Sequence, residues 1–271
     1  MRAPNMNSES GPRAKSLAAI KAAILYSYPL LLVLLAWEVA GYLQLVRPLF
    51  LPGVGTVLSQ FWTLLLSGEI VAPLFVSLFR AFAGLILAVV VGVVAALTMA
   101  RSKWVRWALD PLISFAFPAP KIALVPIFIL WFGIGHTSKI LLVAFTCVLP
   151  MLVATYHGAT GVSQQTIWSA KAMGTSESKL LYRIIFPASL PYIFGGVRVT
   201  VPVALITAFT AEMIAGGGGL GGALMYAQRF FQTPTVFVYI LVMLITGFVF
   251  DHFMLRLRSR WIPWQDDTDA A

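Results

Sequence analysis

Four ionisable residues lie inside or at the ends of long apolar runs: Glu38, Lys121, Arg198 and Glu212. A charged side chain in hydrocarbon is costly, so each is a candidate for solute contact, ion pairing or a path through a membrane. Arg198 stands ten residues after Ala188. In a helix starting there it lies ~15 Å in, near a bilayer midplane. It can attract an anionic solute along a water-filled path, pair with Glu38, or hold helix-terminal carbonyls. Lys121 has only Ile122–Gly135 beyond it in its run, so its ammonium is expected to snorkel to the headgroups. Glu38 reads as a packing or pairing residue. Glu212, at the end of its run, reads as interfacial, with solute contact as the alternative. These scattered groups do not make the nucleophile-base pair, metal cluster or paired carboxylates that a membrane enzyme needs. Cys147 is the single cysteine, which excludes a disulfide within the chain and a Cys/His metal cluster. His136 and His157 stand alone at the ends of runs.

Two further stretches invite a chemical reading. Gly216–Gly219, followed by Gly221 and Gly222, is glycine-rich, but no Lys-Ser/Thr follows it. The phosphate-cradling pattern G-x-x-x-x-G-K-[ST] is found nowhere in the chain, so ATP chemistry is not expected from it. The glycines suit a helix break or re-entry turn, or else a gate or contact for an external protein. The other stretch, SAKAMGTSESKLLYRIIFPASLP (Ser169–Pro191), is polar and charged between two apolar runs. Ser163 can cap a helix running through Met173, and Gly174 suits its C-terminal stop. Ser176 can cap a second helix, with Glu177 in the first turn where the dipole favours a carboxylate. Leu180, Leu181, Ile184 and Ile185 form an apolar stripe. Pro187 marks the start of the next span. Small side chains at Ser169, Ala170 and Ala172 would let another surface approach this helix-turn-helix.

The elements that carry these residues follow from composition. The 271-residue chain is 59% hydrophobic and 11% charged, whereas soluble domains carry about 25% charged residues. Its net charge of +9 comes from residues set between apolar runs rather than on one polar domain. Lipid headgroups therefore explain the charge better than nucleic acid. Six spans are expected: Ile24–Val46, Ala81–Ala100, one within Pro118–Gly135, Ile140–Tyr156, Ala188–Ala211 and Phe230–Phe250. The first has 23 residues, enough to cross a ~30 Å core and too long for a signal-peptide core. Strand alternation is absent, and backbone in lipid must satisfy its own hydrogen bonds, so the spans are helices. If they alternate, thirteen Lys and Arg fall on one side and three or four on the other, with Arg47, Lys139 and Arg229 on the poor side and Arg80 at a span boundary. The rich side is the cytoplasmic one. The expectation is an all-α, polytopic membrane protein of about six transmembrane helices, with the N and C termini and the 163–190 loop cytoplasmic. Leu51–Leu78 is expected to be external with a surface-lying helix, and Trp104–Phe117 to lie in the cytoplasmic interface.

The polar stretch resembles the cytoplasmic loop of permease subunits of ATP-binding-cassette importers. That pattern is Glu-Ala-Ala, three residues, Gly, nine residues, Ile, one residue, Leu-Pro. Here it reads Trp168-Ser169-Ala170, Gly174, Ile184 and Phe186-Pro187. The spacing matches, but Trp168 replaces the usual Glu, Ser169 an Ala and Phe186 a Leu. Leu51-Pro52-Gly53-Val54, PAPKIALVPIFILWFGIGHTSKI (Pro118–Ile140) and AEMIAGGGGLG (Ala211–Gly221) resemble the nitrate, taurine and aliphatic-sulfonate branch. The likeness covers about residues 48–262. It implies a type I importer permease-like fold: a tail at 1–22, a transmembrane permease domain at 23–255 and a tail at 256–271. It also implies a multi-pass protein of the bacterial inner membrane that imports a small polar or anionic organic solute. The loop would couple to an ATPase through Trp168, Ser169, Ala170, Lys171, Met173, Gly174, Glu177, Ile184, Phe186 and Pro187. The partners implied are a second permease copy, two cytoplasmic ATP-binding subunits and an external substrate-binding protein, with ATP and Mg on the ATPase and no cofactor in this chain. The alternative is an ATP-independent channel or secondary carrier.

Overall fold

The computed structural model describes residues 28–29 and 31–261, with side chains up to 257. The 1–22 tail, the opening residues of the first expected span and the last residues of the C-terminal tail lie outside the described residues. Those described are helical, without strands. The chain divides into two compact units, Met1–Gln60 and Phe61–Ala271.

The first unit contains α1, Leu31–Tyr42, and the start of α2, Val54–Leu66. Two neighbouring side chains of α1 hold the turn that leads into α2. The Trp37 indole N–H donates to the Pro52 carbonyl (2.9 Å). The Glu38 carboxylate accepts the Val54 N–H (3.0 Å). A carboxylate beside a helix N-terminus satisfies an orphan donor and suits the helix dipole.

In the second unit, three long helices form the packed centre: α3 (Val71–Arg101), α6 (His136–Thr160) and α9 (Phe186–Ala215). Glycines let them approach. A Cβ at Gly84 would sit 2.6 Å from that of Val143, and one at Gly92 would sit 2.9 Å from that of Met151. Gly158 faces Tyr192, and Gly196 faces Ala154. Within a membrane, close packing of this kind is a main source of helix association. Around the centre lie α4 (Lys103–Ala116), α5 (Val125–Phe132), α7 (Gln164–Ala172), α8 (Glu177–Leu180), α10 (Gly219–Arg229) and α11 (Thr233–Trp261).

Among the described residues, four helical segments are long and apolar enough to cross a bilayer, or five if one bent pair is a single span. Three of the expected spans change shape. The one placed at Ala81–Ala100 starts ten residues earlier, at Val71, so Arg80 lies inside the helix and not at its boundary. The one placed within Pro118–Gly135 is a 3₁₀ turn (Lys121–Leu124) followed by the eight-residue α5, and the chain turns by 94° between α4 and this pair. Pro118 and Pro120 offer no N–H to continue α4, and Gly133, at φ +77°, stops α5. Pro187 does not mark the start of a separate span. Instead α8 passes through a π turn, Leu181–Ile185, directly into α9. The Phe186 N–H reaches back to the Leu181 carbonyl. The wider turn absorbs the donor that Pro187 lacks, so Glu177–Ala215 is one continuous helical run of 39 residues.

Candidate functional site

The polar loop folds as a helical hairpin. Ser163 caps α7, its Oγ accepting the Thr166 N–H at 3.2 Å. Gly174, at φ +78°, ends the helix where a Cβ would be strained. The Thr175 N–H closes this turn on the Ala170 carbonyl (3.1 Å). The underside is apolar: Ala170, Leu180 and Ile185 are buried with Ala159 of α6, and Leu97 and Ala100 of α3 pack against them. Ala170 therefore faces the hairpin's own core and is not open to an approaching surface, whereas Ser169 and Ala172 are exposed. Half-buried Leu181 and Ile184 complete the expected stripe. Trp168, Met173 and Tyr182 are 66–79% exposed and point away from that core. Phe186 is half-buried and Pro187 exposed where the hairpin joins α9. Glu177 contacts two cations, Lys171 of α7 (2.6 Å) and Arg101 at the end of α3.

At the opposite end of the same three helices lies a second polar site, whose residues come from four separate stretches of the sequence. Arg80 of α3 donates to Glu212 of α9 (2.8 Å) and to the carbonyls of Gly218 (3.0 Å) and Gly217 (2.7 Å). Its Nε donates to His136 Nδ1 (3.3 Å). The other Glu212 oxygen accepts from Ser77 (2.6 Å) and from the Gly221 N–H (3.1 Å), and Ser77 Oγ accepts the Leu220 N–H (2.8 Å). Ser77, Arg80, Lys139 and Glu212 are all at most 2% exposed. The Lys139 ammonium donates to the Ile134 and Gly135 carbonyls (2.6 and 3.4 Å). Glu212 thus lies inside the protein rather than at an interface, where it caps α10 and neutralises Arg80. Gly216, Gly217, Gly218 and Gly219 all have positive φ (66–84°). A Cβ at Gly219 would run into the Glu212 carboxylate, and one at Gly221 into the Phe209 carbonyl. The glycine run is therefore a fixed turn wrapped around an ion pair. Removing either partner of such a pair costs about 3–5 kcal/mol. Sequence reasoning does not single out Arg80, Ser77 or Lys139 as site residues. The available signal is Arg80 itself, a lone charge in the run from Val71 to Ala100.

The remaining candidates do not join either site. Arg198 is half-exposed, and its nearest carboxylate is Asp251 of α11 at 3.8 Å. The two border a groove of about 450 Å³ with Gly195, Val199 and Pro202. Lys121 donates to the Phe117 carbonyl (2.9 Å) at the bend between α4 and α5. Glu38 holds α2, as described above.

Residues 88–263 match the family described as "Binding-protein-dependent transport system inner membrane component". The chain is 34% identical to the taurine transport system permease protein TauC of Escherichia coli (strain K12), over 88% of each chain. It is 31% identical to an aliphatic sulfonates transport permease protein, SsuC, of Bacillus subtilis (strain 168), over 88% of this chain and 86% of that one. Its fold is similar to a solved inward-facing MetNI methionine ABC transporter chain, with a TM-score of 0.61, 14% identity, and coverage of 69% of this chain and 93% of that one. A matching loop, a bundle of apolar helices and relatives aligned over most of their length converge, and the chain belongs to the inner-membrane permease components of binding-protein-dependent ABC importers.

Proposed function

We propose that the 163–190 hairpin couples ATP hydrolysis on a partner subunit to alternating access in this chain. One observation carries this: the second arm of the hairpin and span α9 are a single helical run from Glu177 to Ala215. At ~1.5 Å per residue it extends ~58 Å, more than a bilayer core. Force applied at the hairpin is therefore carried towards the far end along one helical run, with the π turn at Leu181–Ile185 as an irregular step within it. The exposed Trp168, Met173 and Tyr182 offer the outward surface that docks on the ATPase, with Lys171, Ser169 and Gly174 beside them. Trp168, where a carboxylate is usual, makes this contact aromatic rather than ionic.

The hairpin end is cytoplasmic in this proposal, supported by the thirteen basic residues on that side. The working assembly is two copies of this chain, two ATP-binding subunits and an external binding protein in a bacterial inner membrane. ATP and Mg reside on the partner. The imported solute is a small polar or anionic organic molecule of the nitrate, sulfonate or taurine class, supported by the named relatives and by Arg198 in the α9–α11 groove. A half-exposed Arg-Asp pair on spanning helices needs water or a second copy beside it.

The test is reconstitution with the neighbouring ATPase and binding protein, using taurine as probe. Uptake should require ATP, and replacing 163–190 by a flexible linker should abolish it. Uptake that survives the replacement, or flux through this chain alone, would favour the ATP-independent channel or carrier.

A further inference from the structure

The three cytoplasmic-end charges that the fold brings together are Arg101, Lys171 and Glu177. Arg101 is the last residue of α3, Lys171 lies in the last turn of α7 and Glu177 in the first turn of α8. Arg101 is more than 70 residues from Glu177 in sequence, yet one carboxylate touches both cations. Beneath them, Leu97 and Ala100 of α3 pack on the hairpin's buried Ala170, Leu180 and Ile185. The hairpin is thus attached to the bundle twice. It is continuous with α9 through the π turn, and it is fastened to α3 by an ionic strap over an apolar seat.

We propose that Arg101 and Glu177 are positioning residues for coupling: the strap makes the hairpin and α3 move as one body. This rests on the coupling role proposed above. The geometry gives a reason for a second attachment. A π turn has poorer hydrogen-bond geometry than an α-helix and often marks a hinge. Here it sits between α8 and α9. With α9 as the sole link, the hairpin could pivot at Leu181–Ile185 and lose displacement there. Tying Glu177, on the ATPase side of that turn, to α3 limits the pivot and distributes the motion over two of the three central helices. Arg101 is 21 residues from Arg80, so the strap and the buried network fasten opposite ends of α3, ~31 Å apart.

The experiment uses the full assembly with spin labels at Ser102→Cys and Lys179→Cys. The native Cys147 is fully buried and stays in place. The inter-label distance is measured without nucleotide and with ATP-vanadate. With Arg101 present, one distance should hold in both states. With Arg101→Gln it should broaden or shift on adding nucleotide, and taurine moved per ATP should fall about fivefold, the factor equivalent to ~1 kcal/mol. Joining Arg101→Cys and Glu177→Cys by a flexible bifunctional thiosulfonate should restore the ratio. A distance that already shifts with nucleotide in the native strap overturns the proposal. So does an unchanged ratio in Arg101→Gln, or loss of ATPase co-purification in that variant, which would make the strap a docking element. If the linker replacement of 163–190 leaves uptake intact, the coupling role itself fails. If that replacement abolishes uptake while Arg101→Gln is silent, the strap alone fails.

Discussion

The two ends of the α3–α6–α9 bundle each carry an arginine–glutamate pair, and the pairs do opposite work. Arg80–Glu212 is sealed from solvent, and five further groups, Ser77, His136, Gly217, Gly218 and Gly221, satisfy its remaining hydrogen-bonding capacity. Arg101–Glu177 is exposed to water, with Glu177 59% accessible. The buried pair fixes a structure, because neither charge can exchange its protein partners for water. The exposed pair contributes little to stability, since water competes for both ions. It constrains relative motion instead. The same chemistry therefore yields a latch at one end and a strap at the other, and the difference is solvent.

The largest effect should come from splitting the buried pair. Glu212→Ala leaves Arg80 charged and unpaired, and the folded protein should lose about 3–5 kcal/mol, read as a fall in yield and in the thermal transition of the purified protein. The double variant Arg80→Met/Glu212→Leu should recover much of that loss, because it removes both charges together. Full additivity of the two single losses would show that the pair is not coupled. The next effect concerns the glycine turn. Gly219→Ala meets the Glu212 carboxylate and forces a side chain to φ +84°. About 1–3 kcal/mol should be lost from the strained backbone alone, measurable by the same thermal scan. If Gly219→Ala is as stable as the native chain, the turn is not wrapped around the ion pair.

Smaller effects belong to the hairpin. Gly174→Ala, at φ +78° with open space around it, should cost about 1 kcal/mol, because only the backbone is strained. Gly174→Asp adds charge at the outward face and should also weaken ATPase co-purification. Glu177→Gln should cost least, about 0–1 kcal/mol. Its effect should appear in solute moved per ATP and not in the thermal transition. A large thermal shift would make Glu177 a second latch and erase the contrast between the ends.

Much of the hairpin is legible in the sequence because its signals are local. Ser163, Gly174 and the Leu180–Ile185 stripe each act within one or two turns, whereas Ser176 takes the N-cap position of α8 without a side-chain cap bond. The opposite end is not legible. Arg80, taken alone, reads as a charge that must lie near a headgroup, so the helix is expected to begin after it. The turn after Trp104–Phe117 is anticipated from its mixed aromatic, charged and apolar composition, but not that the next segment is a 3₁₀ turn followed by an eight-residue helix.

By itself the sequence determined an all-helical, lipid-solvated chain with a capped hairpin between its apolar runs. Hydropathy and capping are properties of neighbouring residues. Only the tertiary structure decided that Ser77, Arg80 and Glu212 share one buried network and that the hairpin runs unbroken into α9. The cost of a charge in a membrane depends on its partner, and Glu212 lies 132 residues from Arg80.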